Sequence, residues 1–177
     1  MFSQLWGAVL EEADWQRWIA NGHDVGLLSV NGLLGHAPTT MPTHFVADGS
    51  RLLIQLARPN PVWAVLEYDP NVTFTVLGDR TPGPWHAATG IEPTDGGPSG
   101  DYAVVQFTCQ AHIVDGPEDK AALLRRQTAH FRPDGSHGSA AADQPPYARL
   151  LSGVRGLILN VTEAKAKFRY DGHEPVG

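Results

Sequence analysis

The chain has 177 residues, enough for one domain with a true core and too few for two. Hydrophobic residues make up 42% of it, which excludes disorder, and 19 glycines with 14 prolines exclude a helical bundle. A formal net charge of −6 excludes a domain built to grip nucleic-acid phosphates.

In chain order, Met1 to Glu12 lack a basic start followed by an apolar run, so no secretory leader is expected. Trp15, Trp18 and Ile19 are spaced as the buried face of a short helix over 11–20, stopped by Asn21-Gly22. Val25–Val30 and Leu33-Leu34 read as strands joined by a two-residue turn at Asn31-Gly32, a pair that tolerates positive φ. Asp48-Gly49 predicts a second hairpin, joining the strand Thr43-His44-Phe45-Val46 to Leu52–Leu56. Asn60-Pro61 opens a helix through about Tyr68, with Asn as the cap and Pro preformed for the first turn. Val72, Phe74 and Val76 alternate with Thr73 and Thr75 as a strand. Residues 79–100 read as a long loop.

Asp101 to Asp115 is the clearest strand. Ala103, Val105, Phe107, Cys109, Ala111 and Ile113 form an apolar face, and Tyr102, Gln106, Thr108, Gln110 and His112 most of a polar one. Asp115-Gly116-Pro117 starts a helix carrying Leu123, Leu124, Thr128 and Phe131, and 132–146 form another loop. Val154–Thr162 is a strand that Lys165–Tyr170 continues or follows. Six or so antiparallel strands with a few peripheral helices predict a mainly β fold, a closed or partly closed barrel filling one domain over 1–177. No stretch approaches the roughly 20 apolar residues that span a bilayer, so no membrane partner is expected. The single cysteine, Cys109, excludes an internal disulfide, reads as a buried inert thiol, and fits a reducing cytoplasm.

Arg58 stands two residues before the helix cap at Asn60. Free N–H groups at a helix start, with a guanidinium beside them, suit a phosphate or carboxylate. Pairing of Arg58 with a local carboxylate, with Asn60-Pro61 acting only as a cap, fits the spacing equally well. Lys165, Lys167 and Arg169 place cations on one strand face. They are either a solvated edge or a phosphate contact delivered across a dimer interface. No pair among the eight histidines has zinc-like spacing, so no metal site is expected. His112 lies on the polar face of the best strand, within reach of a pocket, and His86 lies in the 79–100 loop. Neither a nucleophile elbow nor a Walker-type loop is present.

Leu56-Ala57-Arg58-Pro59-Asn60-Pro61-Val62-Trp63 resembles a motif of the PaiB-like proteins, known as FMN-binding negative transcriptional regulators. Met1-Phe2, Asp101–Val105 and Lys167-Phe168 through Pro175 fall in the same order, so the resemblance covers nearly the whole chain. It implies a flavin-binding split barrel, a homodimer with FMN at the subunit interface, and oxidoreductase chemistry on a small-molecule substrate. Arg58 and Asn60 would then contact the cofactor. Thr39 and Thr40 would lie along the isoalloxazine or ribityl chain, with Gln55 and Lys167 completing the set. Three positions depart from the pattern. Gln55 stands where the family has a histidine before Leu-Ala-Arg, and Thr40 stands where a histidine precedes the Leu-Pro pair. Arg80–His86 replaces an aromatic- and serine-rich segment, keeping only Trp85 as an aromatic. The family also includes haem-dependent piperazate synthases, which form an N–N bond in N5-hydroxyornithine. Haem b with His86 or His112 as axial ligand is therefore the alternative cofactor. A non-enzymatic regulator or binding module is a third reading, in which the charge of −6 disfavours direct contact with DNA.

Overall fold

A computed structural model describes residues 8–33, 35–78, 102–133 and 147–169. Its elements run β1 (Ala8–Val9), α1 (Glu12–Ala20), β2 (Val25–Val30), β3 (Thr39–His44), β4 (Val46–Asp48), β5 (Arg51–Ala57), α2 (Val62–Tyr68), β6 (Asn71–Leu77), β7 (Tyr102–Val114), α3 (Pro117–Phe131), α4 (Tyr147–Gly153) and β8 (Val154–Arg169). All eight strands share one antiparallel sheet in the order β3-β2-β6-β7-β8-β5-β4, with β1 on β8. The two ends of that order, β3 and β4, are separated in the chain only by Phe45. The sheet therefore curls until its edges meet, yet no ladder joins β3 to β5, and the barrel stays split along that seam.

Alternation builds the interior. Leu28, Val30, Leu52, Ile54, Phe74, Val76, Val105, Phe107, Leu157 and Leu159 all point inward and are buried. Phe45, at the corner between β3 and β4, packs edge-on against Phe74 with ring centroids 5.0 Å apart. Gly26 is required opposite this cluster, because a Cβ there would collide with the Phe74 ring. At one end of the barrel α1 brings in Trp15, 5.2 Å from Phe107, and Trp18 against Gly78. At the other end α2 buries Val62, Trp63 and Leu66, and the Trp63 indole N–H donates to the Ala57 carbonyl at 2.9 Å.

The expected hairpin at Asp48-Gly49, the helix after Asn60-Pro61, and the long strand before Asp115 all form. Other expectations are corrected. Asn31-Gly32 is not a two-residue turn. Among the described residues only Gly22, Gly35 and Gly49 have positive φ. The link from β2 to β3 runs over 31–38, with the Asn31 amide donating to Asp69 Oδ2 at 2.7 Å and Gly32 pressed against the His36 carbonyl. Leu33 lies in this link, and Leu34 lies outside the described residues. The strand expected over Thr43–Val46 is broken at Phe45, whose N–H is turned to the Asp24 carbonyl. Helix α4 was not expected; it precedes β8 and anchors Leu151 against Ala121 and Leu124 of α3. The loop expected at 79–100 lies outside the described residues, as does the one expected at 132–146 apart from Arg132 and Pro133.

The two C-terminal strand segments form one strand, β8, with a bulge. Thr108 faces Glu163 while Cys109 faces Val161, so Thr162 is the extra residue, and its hydroxyl donates to the Thr108 carbonyl at 3.0 Å. A one-residue slip exchanges the faces of a strand. Past the bulge, Ala164 and Ala166 are therefore buried, and Glu163, Lys165 and Lys167 take the outer face.

Candidate cofactor site

The strand register lays out the outer face of β3, β2, β6, β7 and β8 row by row. Thr40, Ser29, Thr73, Thr108 and Glu163 form one row; Pro42, Leu27, Thr75, Gln106 and Lys165 the next; beyond them His44 faces Val25, and Leu77 faces Val104 and then Lys167. The Thr40 and Ser29 hydroxyls are hydrogen-bonded at 2.9 Å. Phe131, at the end of α3, packs against His44 with ring centroids 5.3 Å apart, while Val25 and Leu77 stay 45% and 56% exposed.

The seam borders this face. β4 pairs with β5 only over Arg51–Leu53, so beyond Leu53 that edge of β5 is paired to no strand. Side chains take two of its carbonyls, Leu53 from Gln127 Nε2 at 3.1 Å and Ala57 from Trp63 Nε1. Gln55 lies between them, exposed and on the outer face. Across the seam stand Thr39 and Thr40, also exposed. Asn60 ties the two sides together. Its Oδ1 accepts the Val62 N–H at 3.1 Å, and its amide lies 3.7 Å from the Met41 sulfur.

Arg58 closes the end of the seam. Its backbone N–H donates to the Gly153 carbonyl at 2.8 Å and its Nε to the Ser152 carbonyl at 3.1 Å, so it caps the last turn of α4. Its terminal nitrogen stands 3.5 Å from Asp115, and the side chain remains 49% exposed. Asp115 is held more closely by Arg155, at 2.6 Å. Arg155 also pairs with Glu67 at 2.9 Å and lies over the Trp63 ring, 4.8 Å from its centroid. Hydrogen bonding to Arg155 holds the Asp115 carboxyl below the usual range; desolvation opposes it, and the charges of Arg155, Arg58 and Lys120 add smaller pulls downward. Lys120 is buried, with its ammonium 2.7 Å from the Leu151 carbonyl. Desolvation, and then Arg58, push its pKa down. Three cations, Lys120, Arg155 and the half-exposed Arg58, thus stand around two carboxylates and leave a positive excess suited to an anion.

A family model described as "Putative FMN-binding domain" matches residues 6–163. The chain belongs to this FMN-binding domain family. The PaiB-like resemblance read from Leu56–Trp63 is thereby borne out. So is the split barrel. The flavocytochrome Anf3 of Azotobacter vinelandii superposes with a TM-score of 0.70 at 16% identity, over 92% of this chain and 70% of that one. A FAD- and haem-binding protein of Mycobacterium smegmatis gives 0.65 at 14%, over 95% and 76%. A conserved hypothetical protein of Mycobacterium tuberculosis gives 0.65 at 18%, over 99% and 98%. No curated protein matches the sequence.

In this FMN-binding domain Asn60 comes within 3.7 Å of Met41, the strand neighbour of Thr40, with Arg58 two residues before it, while Gln55 lies on the outer face of β5. Lys167 does not join them. It lies at the far end of β8, roughly 40 Å of extended strand from the Gly153 carbonyl that Arg58 holds. His112 is elsewhere again, on the outer face beneath α3, in a cavity walled by Asp48, Arg51, Asp115, Asp119 and Arg126. His86 and Trp85 lie outside the described residues. Sequence reasoning missed Asp115, Lys120 and Arg155, whose spacing in the chain gives no sign that they converge on Arg58. The described residues contain no cluster of three or more His, Cys, Asp or Glu able to hold a metal, and no helix long and apolar enough to cross a membrane.

Proposed function

We propose that this chain binds FMN at the seam, as a homodimer joined through its outer sheet face, and acts as a flavin-dependent oxidoreductase on a small molecule. The match of residues 6–163 to the FMN-binding model carries the reading. The seam suits the cofactor. Gln55 offers an amide and a backbone edge without a strand partner, for the polar rim of a heterocycle. Thr39 and Thr40 offer hydroxyls for a ribityl chain. The exposed part of the Arg58 guanidinium supplies charge for a phosphate, with Asn60 fixing the turn beside it. Lys167 reaches such a site only from a second copy, and the exposed Val25 and Leu77 on the outer face give that copy an apolar spot to pack on. Bound FMN supplies the electron transfer; the chain's own groups bind it, orient it and shield it from water. The single buried thiol suits a cytoplasmic protein.

Haem b is the second reading, favoured by the names of two structural neighbours, a flavocytochrome and a FAD- and haem-binding protein. His112 lies away from the seam, so this reading depends on a ligand such as His86. The absorption spectrum of the purified protein, before and after adding FMN, separates the readings. Flavin bands, present at once or gained on titration, support the first. A Soret band supports the second. Neither band, with no change on FMN addition, refutes both and leaves a binding module.

A further inference from the structure

The cavity beneath α3 adjoins the seam and shares Leu53 and Asp115 with it, but none of the residues offered to FMN lines it. It holds about 470 Å³, in the range of small-molecule sites. Its floor is Leu53 and Ile158, adjacent on β5 and β8, with His112 next in the same row on β7. Its wall is one stripe of α3, Asp119, Ala122, Leu123 and Arg126, the spacing of a single helix face. The charges along that stripe are segregated. At the Arg126 end, Arg126 and Arg51 both pair with Asp48, so two guanidiniums share one carboxylate and leave a positive excess. At the other end, two turns and about 10 Å away, Asp119 stands on the first turn of the helix. Asp119 and His112 are both exposed, and neither has a hydrogen-bond or ion-pair partner among the described residues. Between the ends, Ala122 is small and the floor is apolar.

A cationic end, an anionic end and an apolar middle are complementary to one class of ligand. We propose that this cavity is a second site, which takes a linear zwitterion of dipeptide or ω-amino-acid size. The ligand carboxylate faces Arg51 and Arg126, its ammonium faces Asp119, and its carbon chain lies over Leu53 and Ile158 beside His112. Matching both ends is what selects the ligand, because each exposed charge pair alone is weak.

The test is titration of the full chain with 6-aminohexanoate, followed by calorimetry, with hexanoate and hexylamine as singly charged controls. The expected result is saturable binding of 6-aminohexanoate, about fivefold or more tighter than either control. Asp119→Asn and Arg126→Gln, both at exposed positions, are each expected to weaken it by about fivefold or more with an unchanged circular-dichroism spectrum. Absence of binding, equal binding of the controls, or indifference to both substitutions overturns the proposal. None of these outcomes bears on FMN, which is measured separately.

Discussion

Arg58 gives its backbone N–H to Gly153 and its Nε to Ser152, so part of this side chain is structural whatever else it binds. The two readings its spacing allowed, anion seat and local ion pair, are not exclusive. Asp115 is a loose partner at 3.5 Å, and Asp115 itself belongs chiefly to Arg155. Because Arg155 holds the Asp115 carboxyl below its ordinary value of about 3.9, folding is favoured by the ionised form. That contribution is complete above the unfolded pKa and is lost as pH falls through the folded one. Asp115→Asn is therefore expected to lower stability by about 1 kcal/mol at pH 7, a half-exposed pair being weakened by solvent, with the gap closing in the acid limb. Urea unfolding at pH 7 and at pH 2.5 checks this, and an equal gap at both pH values contradicts it. Asn60 as a helix cap was legible because the cap, Val62 and Trp63 are neighbours in sequence. Asp115 and Arg155 lie 57 and 97 positions from Arg58, and no local pattern announces such contacts.

Strands were legible where one face is buried and the other wet. β6 and β7 alternate cleanly, and their registers follow from that alternation. What alternation cannot show is an inserted residue. The bulge at Thr162 reverses the facing of everything after it, and only the burial of Ala164 and Ala166 reveals which way Lys165 and Lys167 point. Helix α4 was illegible because seven residues give too little periodicity to detect. Asn31-Gly32 misled because its composition suits a tight turn while its side chains serve other contacts. Gly26 was read only as part of a strand, yet its missing Cβ makes room for a fully buried Phe74. Gly26→Ala is expected to cost about 1–3 kcal/mol, since the ring has no free volume to move into. Equilibrium unfolding measures this, and a loss below about 0.5 kcal/mol would falsify the packing described.

For the whole molecule, barrel and family were legible from strand count and from Leu56–Trp63. The seam was not, since it depends on β3 and β5 running alongside each other without pairing. The outer sheet face makes assembly part of the account. Val25 and Leu77 are exposed and contribute nothing to the core, so Val25→Glu combined with Leu77→Glu leaves the fold intact. Light scattering on the eluting protein is expected to show the mass of two chains for the wild type and of one for this double variant. A monomeric wild type, or a variant that stays dimeric, contradicts assembly through this face.

FMN binding at the seam is read from an equilibrium titration of flavin-free protein with FMN. A saturable change in the flavin spectrum is expected, ending at about one FMN per chain, with riboflavin, which lacks the phosphate that Arg58 would meet, binding about tenfold or more weakly. A flavin spectrum that stays that of free FMN throughout the titration contradicts it.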